Sequence, residues 1–272
     1  MKPPMRLQVR ARRPLCVLTI AGSDSGGGAG IQADSRAIRA LGVFPLTAIT
    51  AVTAQSTRGV RAWCAVEPRL IAAQIEAVLE DMPVGAVKTG LLPGAAAVRA
   101  VVRALGETAV PLVVDPVAGS TSGTEFLDAA GRRLMRRELF PRAALVTPNW
   151  PELAVFVGGK VEDEEEAEKA ARMLAEEAGC AVLAKGGHGS GARCVDLLVR
   201  PGKAVLRFEG ARLRTPNTHG TGCTLASAIA AGLARGWSLP RAVETARDLV
   251  AGGLKDGRGL RWGAGAGPAF PG

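Results

Sequence analysis

The sequence of 272 residues contains no tyrosine, and only 4% of its residues are aromatic. Proteins that bind single-stranded nucleic acid stack the bases on aromatic side chains and follow the backbone with a concentrated basic groove. Here the net charge of +9 comes from 34 basic and 25 acidic residues that are scattered along the chain. We therefore expect no nucleic-acid partner, and we interpret the positive charge as favouring solubility and attracting phosphorylated ligands.

Residues that hold zinc or build disulfide frameworks are also few. The chain has 2 histidines and an odd number of cysteines, 5, with no Cys-x-x-Cys pair. A structural zinc site needs four such ligands, usually at short spacings, and a disulfide framework pairs its cysteines. Neither is expected here. Because unpaired cysteines are typical of the reducing cytosol, we expect a cytoplasmic protein.

Long apolar runs are absent as well. No stretch of about 18 apolar residues occurs, so we expect no membrane-spanning segment. The basic segment 1–14 precedes a short apolar stretch, 15–22, a combination that a secretory signal also shows. We favour the other interpretation, in which a basic N-terminal extension leads into a first buried strand.

What the chain does have is an alternation of short apolar runs with helical patterns. This predicts an α/β fold over 1–272 as a single domain, with a central, mostly parallel sheet flanked by helices on both faces. The predicted strands are 15–20, 84–88, 112–117, 144–147 and 181–185. The predicted helices are 31–41, 69–81, 95–105, 125–137, 162–178, 221–235 and 239–254.

Two segments depart from this alternation. Residues 43–66 are rich in Thr, Val and Ala with a turn at Arg58-Gly59, which predicts two extended segments forming a small β lid or flap. The Gly-rich tail, 257–272, is expected to be loose or draped over a site.

The most specific motif is Asn217-Thr218-His219-Gly220-Thr221-Gly222-Cys223-Thr224, which lies where an Ala-rich helix is predicted to begin. Its glycines let the backbone approach a ligand, and the first N–H groups and the dipole of the helix favour an anion. Cys223 lies in this positive potential, which lowers the pKa of a thiol and would let it accept the proton of a substrate hydroxyl. The motif predicts phosphoryl transfer to an alcohol, and a simple tight connection is the alternative.

A second glycine-rich loop, from Gly22 to Gly30, follows the first predicted strand. It lacks the Lys of a phosphate loop and fits the dinucleotide fingerprint only loosely. We interpret it as a crossing where a flat ligand lies against the backbone, with Asp34 one turn into the next helix; a loop with a capping Asp is the alternative. Gln55, an isolated amide in an apolar stretch, suits the edge of a heterocycle, although an exposed Gln in a turn is commoner.

Polar residues also follow the carboxyl ends of later predicted strands, the edge where open α/β sheets bind ligands. Asp115 ends one strand, and Asn149 and Glu152 follow the next. They predict a site for hydrated Mg²⁺ beside a triphosphate, because Mg²⁺ takes few protein ligands. Lys185, on a glycine turn, suits a nucleotide phosphate. The alternatives are a turn before Pro116 for Asp115, a first-turn helix acid for Glu152 and a surface hairpin for Lys185.

In order along the chain, these motifs resemble those of the ribokinase-like kinases, and specifically the hydroxymethylpyrimidine/phosphomethylpyrimidine kinases of thiamine biosynthesis. The resemblance runs from about residue 15 to the Gly-rich end. Most ribokinase-like sugar kinases carry Asp where this chain has Cys223, so the Cys indicates the pyrimidine branch. The matching motifs are Ala21-Gly22-Ser23-Asp24, Gly27-Gly28-Ala29-Gly30-Ile31-Gln32-Ala33-Asp34, Thr53-Ala54-Gln55, Lys88-Thr89-Gly90, Asp115-Pro116-Val117, Thr147-Pro148-Asn149-Trp150-Pro151-Glu152, Lys185-Gly186-Gly187-His188 and the turn that ends in Cys223-Thr224.

The resemblance implies roles for these positions. Gln55 would hydrogen-bond an aminopyrimidine, and the rest of that pocket would be formed by Gly22, Ala29, Asp34, Leu91 and Val117. An anion hole would be formed by Gly220, Thr221 and Gly222, with Cys223 taking the hydroxymethyl proton. ATP would bind at Lys185, Thr221 and Asn149, and Mg²⁺ would be organised by Asp115 and Glu152. The resemblance also implies a homodimer and two successive transfers, first to the alcohol and then to its monophosphate.

Two departures from the family pattern are visible. Ser35-Arg36-Ala37 replaces a more typical Leu-Lys-Thr, and the end, Phe270-Pro271-Gly272, lacks the usual aromatic and His residues, which leaves open how the tail covers a site. A pyridoxine/pyridoxal kinase of the same fold is the alternative activity. A sensor that binds thiamine precursors without turnover is the alternative from another class.

Overall fold

The structure, a computed structural model, describes residues 14–119, 126–189 and 191–269. In this part of the chain a 9-stranded sheet has the order β3-β2-β1-β4-β5-β6-β7-β8-β9. The strands are β1 (Cys16–Asp24), β2 (Phe44–Ser56), β3 (Gly59–Ala65), β4 (Val84–Thr89), β5 (Leu112–Val114), β6 (Leu145–Val146), β7 (Ala181–Ala184), β8 (Arg193–Val199) and β9 (Leu206–Ala211). Six neighbouring strands pair in parallel, in the order β2-β1-β4-β5-β6-β7. At the two edges, β3 pairs antiparallel with β2, β8 with β7, and β9 with β8. The prediction of a mostly parallel sheet is confirmed.

Helices cover both faces of this sheet. They are α1 (Gly30–Ala40), α2 (Pro68–Asp81), α3 (Gly94–Leu105), α4 (Ala129–Leu134), α5 (Trp150–Val157), α6 (Glu164–Ala178), α7 (Thr221–Ala234) and α8 (Leu239–Asp256). The apolar residues of α2 to α6 pack on one face, and those of α1, α7 and α8 on the other. Among the described residues, no helix has both the length and the apolar character needed to cross a membrane.

Local sequence explains where α6 begins and ends. The side chain of Asp163 accepts a hydrogen bond from the backbone N–H of Glu166, which satisfies one of the unpaired donors at a helix start. The first turn is acidic, as the helix dipole favours. Gly179 then ends the helix with a positive φ of 64°, a conformation that glycine adopts without strain.

Several elements differ from the prediction. The antiparallel strands β8 and β9 are not among the predicted strands, and α5 is not among the predicted helices. The helix expected over 125–137 begins at Ala129 and continues from residue 135 as a π-helical turn (Met135–Leu139), while residue 125 lies outside the described residues. The two extended segments over 43–66 are present, but β2 pairs with the central strand β1 along most of its length, so only its last part and β3 project as a flap.

Strand β1 includes most of the apolar stretch 15–22, and its residues from Cys16 to Gly22 are buried between β2 and β4. The interpretation as a buried strand is therefore correct for this stretch. The basic segment before Pro14 lies outside the described residues.

Candidate active site

A row of polar side chains crosses the carboxyl edge of the parallel sheet. Alternate residues of a strand face the same side. On the face packed by α1, α7 and α8, five strands carry an apolar core residue followed two positions later by a polar residue. The five apolar-to-polar steps are Val17 to Thr19, Ala86 to Lys88, Val113 to Asp115, Leu145 to Thr147 and Leu183 to Lys185. The registers place Thr19 beside Lys88 and Asp115 beside Thr147, whereas Lys88 is paired with Val113 and Lys185 with Asn149, so the polar residues form a staggered row on this face.

The charges in this row alternate in sign. Lys88 Nζ lies 2.9 Å from both carboxylate oxygens of Asp34, and Lys185 Nζ lies 2.8 Å from Oδ1 of Asp115. Glu152 Oε2 lies 3.8 Å from Lys185 Nζ on the other side. Buried charges need partners, and each cation here lies against at least one carboxylate.

The first turn of α7 lies over this row. A Cβ atom added to Gly222 would lie 3.2 Å from Lys185 Nζ and 3.6 Å from Asp115 Oδ2. The first N–H groups of a helix have no carbonyl partner within it, so the helix start presents donors to an anion placed between Gly222 and Lys185. The structure thus brings the predicted anion turn and the predicted phosphate lysine to one place.

Gly220 allows this close approach. It has a φ of 83°, and an added Cβ would lie only 1.9 Å from the carbonyl oxygen of Gly28. The two glycine-rich loops found in the sequence therefore contact each other backbone to backbone. Only glycine fits at residue 220, because any side chain would be both strained and overlapping.

The acidic groups beside Lys185 titrate at different pH. Burial raises the pKa of Asp115, but Lys185, Lys88 and the hydroxyl of Thr147 outweigh it and hold that pKa below its ordinary value. Burial also raises the pKa of Glu152, to about 7, and there the attraction of Lys185 is too small to compensate. Burial lowers the pKa of Lys185, yet the two carboxylates outweigh it and the pKa lies above its ordinary value.

Cys223 does not have the activated thiol that the sequence predicted. Burial raises its pKa to about 11, although Lys88 and the backbone N–H of Gly30 favour the thiolate. The expectation of a lowered pKa is wrong, because the free energy needed to remove the thiolate from water exceeds the stabilisation of the thiolate by the helix start and by Lys88. At neutral pH the thiol of Cys223 is therefore protonated.

The interpretation of Glu152 as an acid in the first turn of a helix is correct, because one of its carboxylate oxygens takes part in the cap of α5. Asn149 Oδ1 accepts a hydrogen bond from the N–H of Glu152, and Glu152 Oε2 accepts one from the N–H of Asn149, both at 2.8 Å. This capping box starts α5 and fixes Glu152 beside Lys185. The side-chain oxygen of Asn149 is thus used in capping the helix. The nucleotide contact predicted for Asn149 stays a prediction.

The donor set suits Mg²⁺ only in combination with a nucleotide. No group of three or more His, Cys, Asp or Glu that could hold a metal is present among the residues that the structure describes. Asp115 and Glu152 flank Lys185, and Mg²⁺ in nucleotide sites is bound by one or two carboxylates together with phosphates and water. The two carboxylates therefore fit a Mg²⁺ ion that arrives with a triphosphate.

Asp24 and His219, which lie in the motifs but were given no role from the sequence, join the two glycine loops. His219 Nε2 lies 2.9 Å from Asp24 Oδ2 and 2.9 Å from Gln55 Nε2. Asp24 also accepts hydrogen bonds from the N–H groups of Gly26 and Ala29, both at 2.8 Å. Burial raises the pKa of Asp24, but His219 and these N–H groups hold it below its ordinary value. Asp24 follows the first predicted strand, 15–20, on the side of its carboxyl end, and this position is the signal that could have identified it.

The remaining predicted pocket residues lie around this cluster. Gln55 is half-buried near the end of β2, and a Cβ added to Gly22 would lie 3.3 Å from Leu91 Cδ2. Val117 follows Asp115 directly, and its side chain is half-buried. The contacts predicted between these residues and a ring stay predictions.

Asp34 lies deeper than the pocket interpretation implied. It is 0% exposed, and it does not cap α1, whose start at Ala29 has no side-chain cap. The capping alternative is therefore wrong for Asp34, and Asp24 instead accepts the hydrogen bond from the N–H of Ala29. A contact between Asp34 and a substrate stays a prediction.

The turn that carries Lys185 is held by residues that the sequence did not indicate. Asp196 on β8 accepts a hydrogen bond of 2.7 Å from the N–H of Gly186, and Arg247 on α8 pairs with the same carboxylate. A Cβ on Gly186 would lie 1.8 Å from the carbonyl oxygen of Val195. Lys185 thus begins the connection between the antiparallel strands β7 and β8, as the hairpin alternative expected, but its side chain is largely buried and is not a surface lysine. The side chain of His188 is outside the described part of the structure.

The Gly-rich tail is draped over the site as far as residue 269. The N–H of His219 donates to the carbonyl of Gly267 at 3.0 Å, and the N–H of Ala269 donates to the carbonyl of His219 at 2.9 Å. The N–H of Gly265 donates to Thr57 Oγ1 at the flap turn, at 3.3 Å. The tail therefore connects the anion turn with the flap. Phe270-Pro271-Gly272 lie outside the described residues.

Comparison with known proteins identifies the family of this chain. The family model described as phosphomethylpyrimidine kinase matches residues 24–270. The hydroxymethylpyrimidine/phosphomethylpyrimidine kinase of Streptomyces coelicolor is 44% identical over 94% of this chain and 93% of that protein. The crystal structure of phosphomethylpyrimidine kinase from Clostridium difficile 630 matches with a TM-score of 0.75 and 37% identity, over 86% of this chain and 96% of that chain.

A pyridoxal kinase is also similar. The structure of the enzyme from Staphylococcus aureus in complex with AMP-PCP matches with a TM-score of 0.85 and 29% identity, over 95% of this chain and 93% of that chain. These matches confirm the predicted ribokinase-like fold. Since the family model spans nearly all of the chain and the relatives exceed 40% identity, this chain belongs to the phosphomethylpyrimidine kinase family.

Proposed function

We propose that the chain transfers the γ-phosphoryl group of ATP to the hydroxymethyl group of 4-amino-5-hydroxymethyl-2-methylpyrimidine and then to the monophosphate so formed. The observation that carries this proposal is the position of one glycine turn between two different sites. Gly222 faces Lys185 and Asp115 on one side, while His219, in the same turn, contacts Gln55 on the other. Donor and acceptor would therefore meet at the start of α7.

On the nucleotide side, the N–H groups of Thr221 and Gly222 would bind the moving phosphoryl group as negative charge develops on it. The raised pKa of Lys185 keeps its ammonium charged throughout the physiological range, so it can hold the phosphates by charge alone. Mg²⁺ held near Asp115 and Glu152 would neutralise part of the triphosphate charge. Positioning and electrostatics of this kind account for most of the rate in phosphoryl transfer.

On the acceptor side, a flat ring would lie against the backbone of Gly22 and Ala29, with the amide of Gln55 at its polar edge. His219 contacts that amide and is itself held by Asp24. The hydroxymethyl group would then point to Cys223, the only thiol in the anion turn, and the thiolate form of Cys223 would take its proton as the oxygen attacks phosphorus.

The activity is tested by incubating the purified chain with Mg-ATP and the hydroxymethylpyrimidine and resolving the products by mass. We expect monophosphate first and diphosphate later. Pyridoxine turnover without pyrimidine product would support the pyridoxal kinase alternative. The structural similarity to the Staphylococcus aureus enzyme is the observation that favours this alternative. Thermal stabilisation by the pyrimidine without release of ADP would support a sensor instead.

Cys223→Ala should slow the first transfer by about a hundredfold or more, the usual contribution of a general base, and the second transfer much less. The phosphate acceptor of the second step is already an anion and needs no base. Because the thiol titrates near pH 11, kcat/KM of the first transfer should rise with pH between about 7 and 9 in the unmodified chain, and this rise should be lost in the variant. An equal loss in both steps would argue for a purely structural role of Cys223.

We further propose that the chain forms one domain and works as a cytoplasmic homodimer. A single sheet joins the nine strands of the described residues, which supports one domain. Val52 and Trp63 on β2 and β3 are 47% and 38% exposed, and apolar groups at a sheet edge are suited to contact with a second copy. Light scattering of the purified chain would measure the mass in solution.

A further inference from the structure

Lys88 is a fully buried lysine for which the proposed reaction has so far no use. Its side chain is 0% exposed, and it lies in the same row of the sheet as Asp115 and Lys185. Nζ lies 2.9 Å from each carboxylate oxygen of Asp34. Burying such a pair removes two charges from water, and the attraction between them often does no more than compensate for this loss. Stability alone is therefore a weak explanation for this pair.

The hydrogen bonds of Asp34 are complete. Besides Lys88, the hydroxyl of Thr19 donates to Oδ2 at 2.5 Å, and the hydroxyl of Ser227 donates to Oδ1 at 2.8 Å. A carboxylate has about four positions at which it accepts hydrogen bonds, and all are taken here. The carboxylate is thus fixed from three elements, β1, β4 and α7, while it belongs to α1.

This fixed pair ties the starts of two helices together at Cys223. Ser227 lies four residues after Cys223 on α7, so the two side chains are on the same face, one turn apart. Asp34 lies four residues after Gly30 at the start of α1, and the N–H of Gly30 points to the Cys223 sulfur. The thiol therefore lies between two helix starts whose spacing is set by the Lys88–Asp34 pair.

Charges from several elements act on Cys223. Lys88 on β4 favours the thiolate, whereas Asp34 on α1 and Asp115 after β5 oppose it. Lys185, after β7, also interacts with Cys223. Burial lowers the pKa of Lys88, but Asp34, Cys223 and Asp115 outweigh burial and raise it to about 12, so the ammonium stays charged. Lys88 is thus a permanent positive charge that acts on the thiol.

We propose that Lys88 is a positioning residue for the first transfer, which holds Asp34 so that α1 and α7 meet at Cys223 and supplies the positive charge that stabilises the Cys223 thiolate. The proposal rests on the proposed function only for its kinetic consequence. Its physical content, a charge that favours the thiolate, can be tested without any substrate.

The test is the rate at which iodoacetamide alkylates Cys223 between pH 7 and 10, read peptide by peptide by mass spectrometry. Exposed Cys64 serves as the reference thiol in the same sample. In Lys88→Met we expect Cys223 to react at no more than about one tenth of the rate in the unmodified chain, which corresponds to a pKa at least one unit higher. The rate of Cys64 should be unchanged. Thr19→Val is the matched control, since it removes one hydrogen bond to Asp34 and no charge; its Cys223 rate should change less than threefold.

The direction of the change separates the charge from a merely structural role. A site that is only loosened would expose Cys223 and speed its alkylation, which would overturn the proposal. An unchanged rate would overturn it as well. Because Lys88→Met leaves a buried carboxylate unpaired and can prevent folding, the double variant Asp34→Asn/Lys88→Met removes both charges. Its Cys223 should react more slowly than in the single variant Asp34→Asn, which keeps the positive charge of Lys88.

Kinetics give an independent measurement. If the proposed function holds, Lys88→Met lowers kcat of the first transfer at least tenfold more than kcat of the second, as expected of a residue that acts through Cys223. An equal loss in both transfers would contradict the kinetic part. If neither transfer occurs even in the unmodified chain, the proposed function fails while the alkylation result stands by itself.

Discussion

Gly220→Ala is expected to lower kcat/KM of both transfers by about a thousandfold, the loss that follows removal of a hydrogen-bond donor from an anion hole. The new Cβ would lie 1.9 Å from the carbonyl oxygen of Gly28. Backbone cannot move aside as a flexible side chain does, so the turn itself must shift. That shift takes the N–H groups of Thr221 and Gly222 away from the phosphoryl group. Both steps suffer, because both use the same anion hole.

Gly236→Ala is the matched control for this change. Gly236 lies at the other end of α7 with a φ of 76°, and an added Cβ would have no atom within 4 Å. It carries the same backbone strain, about 1–2 kcal/mol, without the overlap. We expect its free energy of unfolding to fall by that amount in urea titrations while kcat/KM stays within twofold. If Gly220→Ala behaved like Gly236→Ala, the turn would not be the anion hole.

Lys185→Met should lower kcat/KM for ATP by about a hundredfold to a thousandfold, because a buried, always charged phosphate contact is lost. It should also lower the free energy of unfolding at pH 7 by about 3–5 kcal/mol, the usual effect of leaving one partner of a buried ion pair alone. The side chains of Lys185 and Asp115 are only 13% and 2% exposed, so solvent screens the pair little. Steady-state kinetics and urea unfolding measure the two effects separately.

The stability loss in Lys185→Met should depend on pH in a defined direction. In the unmodified chain the pKa of Asp115 is held below its ordinary value, so its contribution is present at neutral pH and is lost as pH falls through that pKa. Without Lys185, burial favours the protonated form of Asp115. This lowers the free energy of unfolding only at pH values where Asp115 is ionised in the unfolded chain. The difference in unfolding free energy between the two proteins should therefore be large at pH 7 and shrink towards pH 4. Lys203→Met, at an exposed lysine, should show no such dependence. A penalty that is constant with pH would mean that Asp115 does not depend on Lys185.

The parallel part of the sheet and most helices were predictable because their residues repeat locally. Apolar runs of four to six residues mark the buried strands, and the acidic first turn and Gly179 mark α6. Strands β8 and β9 are not among the predicted strands. In β9, Leu206 and Phe208 alternate with Arg207 and Glu209, and a turn at Pro201-Gly202 lies between β8 and β9. Such a short, half-exposed alternation gives a much weaker strand signal than the longer buried apolar runs.

Several residues of the site could not be predicted because their roles come from partners far along the chain. Asp24 and His219 are 195 residues apart, and Lys88 meets Asp34 across 54 residues. The pKa of Cys223 was predicted in the wrong direction for the same reason. A helix start is a local feature that sequence shows, whereas burial is produced by the whole fold around the thiol.

The sequence by itself determined the fold class, the family and the two glycine-rich loops, since these depend on local periodicity and on residue types that no other residue can replace. Only the tertiary structure decided that the loops touch through Gly28 and Gly220, that Asp34 is bound to Lys88 beneath the pocket, and that Glu152 both caps a helix and faces Lys185. Contacts, burial and the pKa values that follow from them depend on distances between elements, and those distances exist only once the chain has folded.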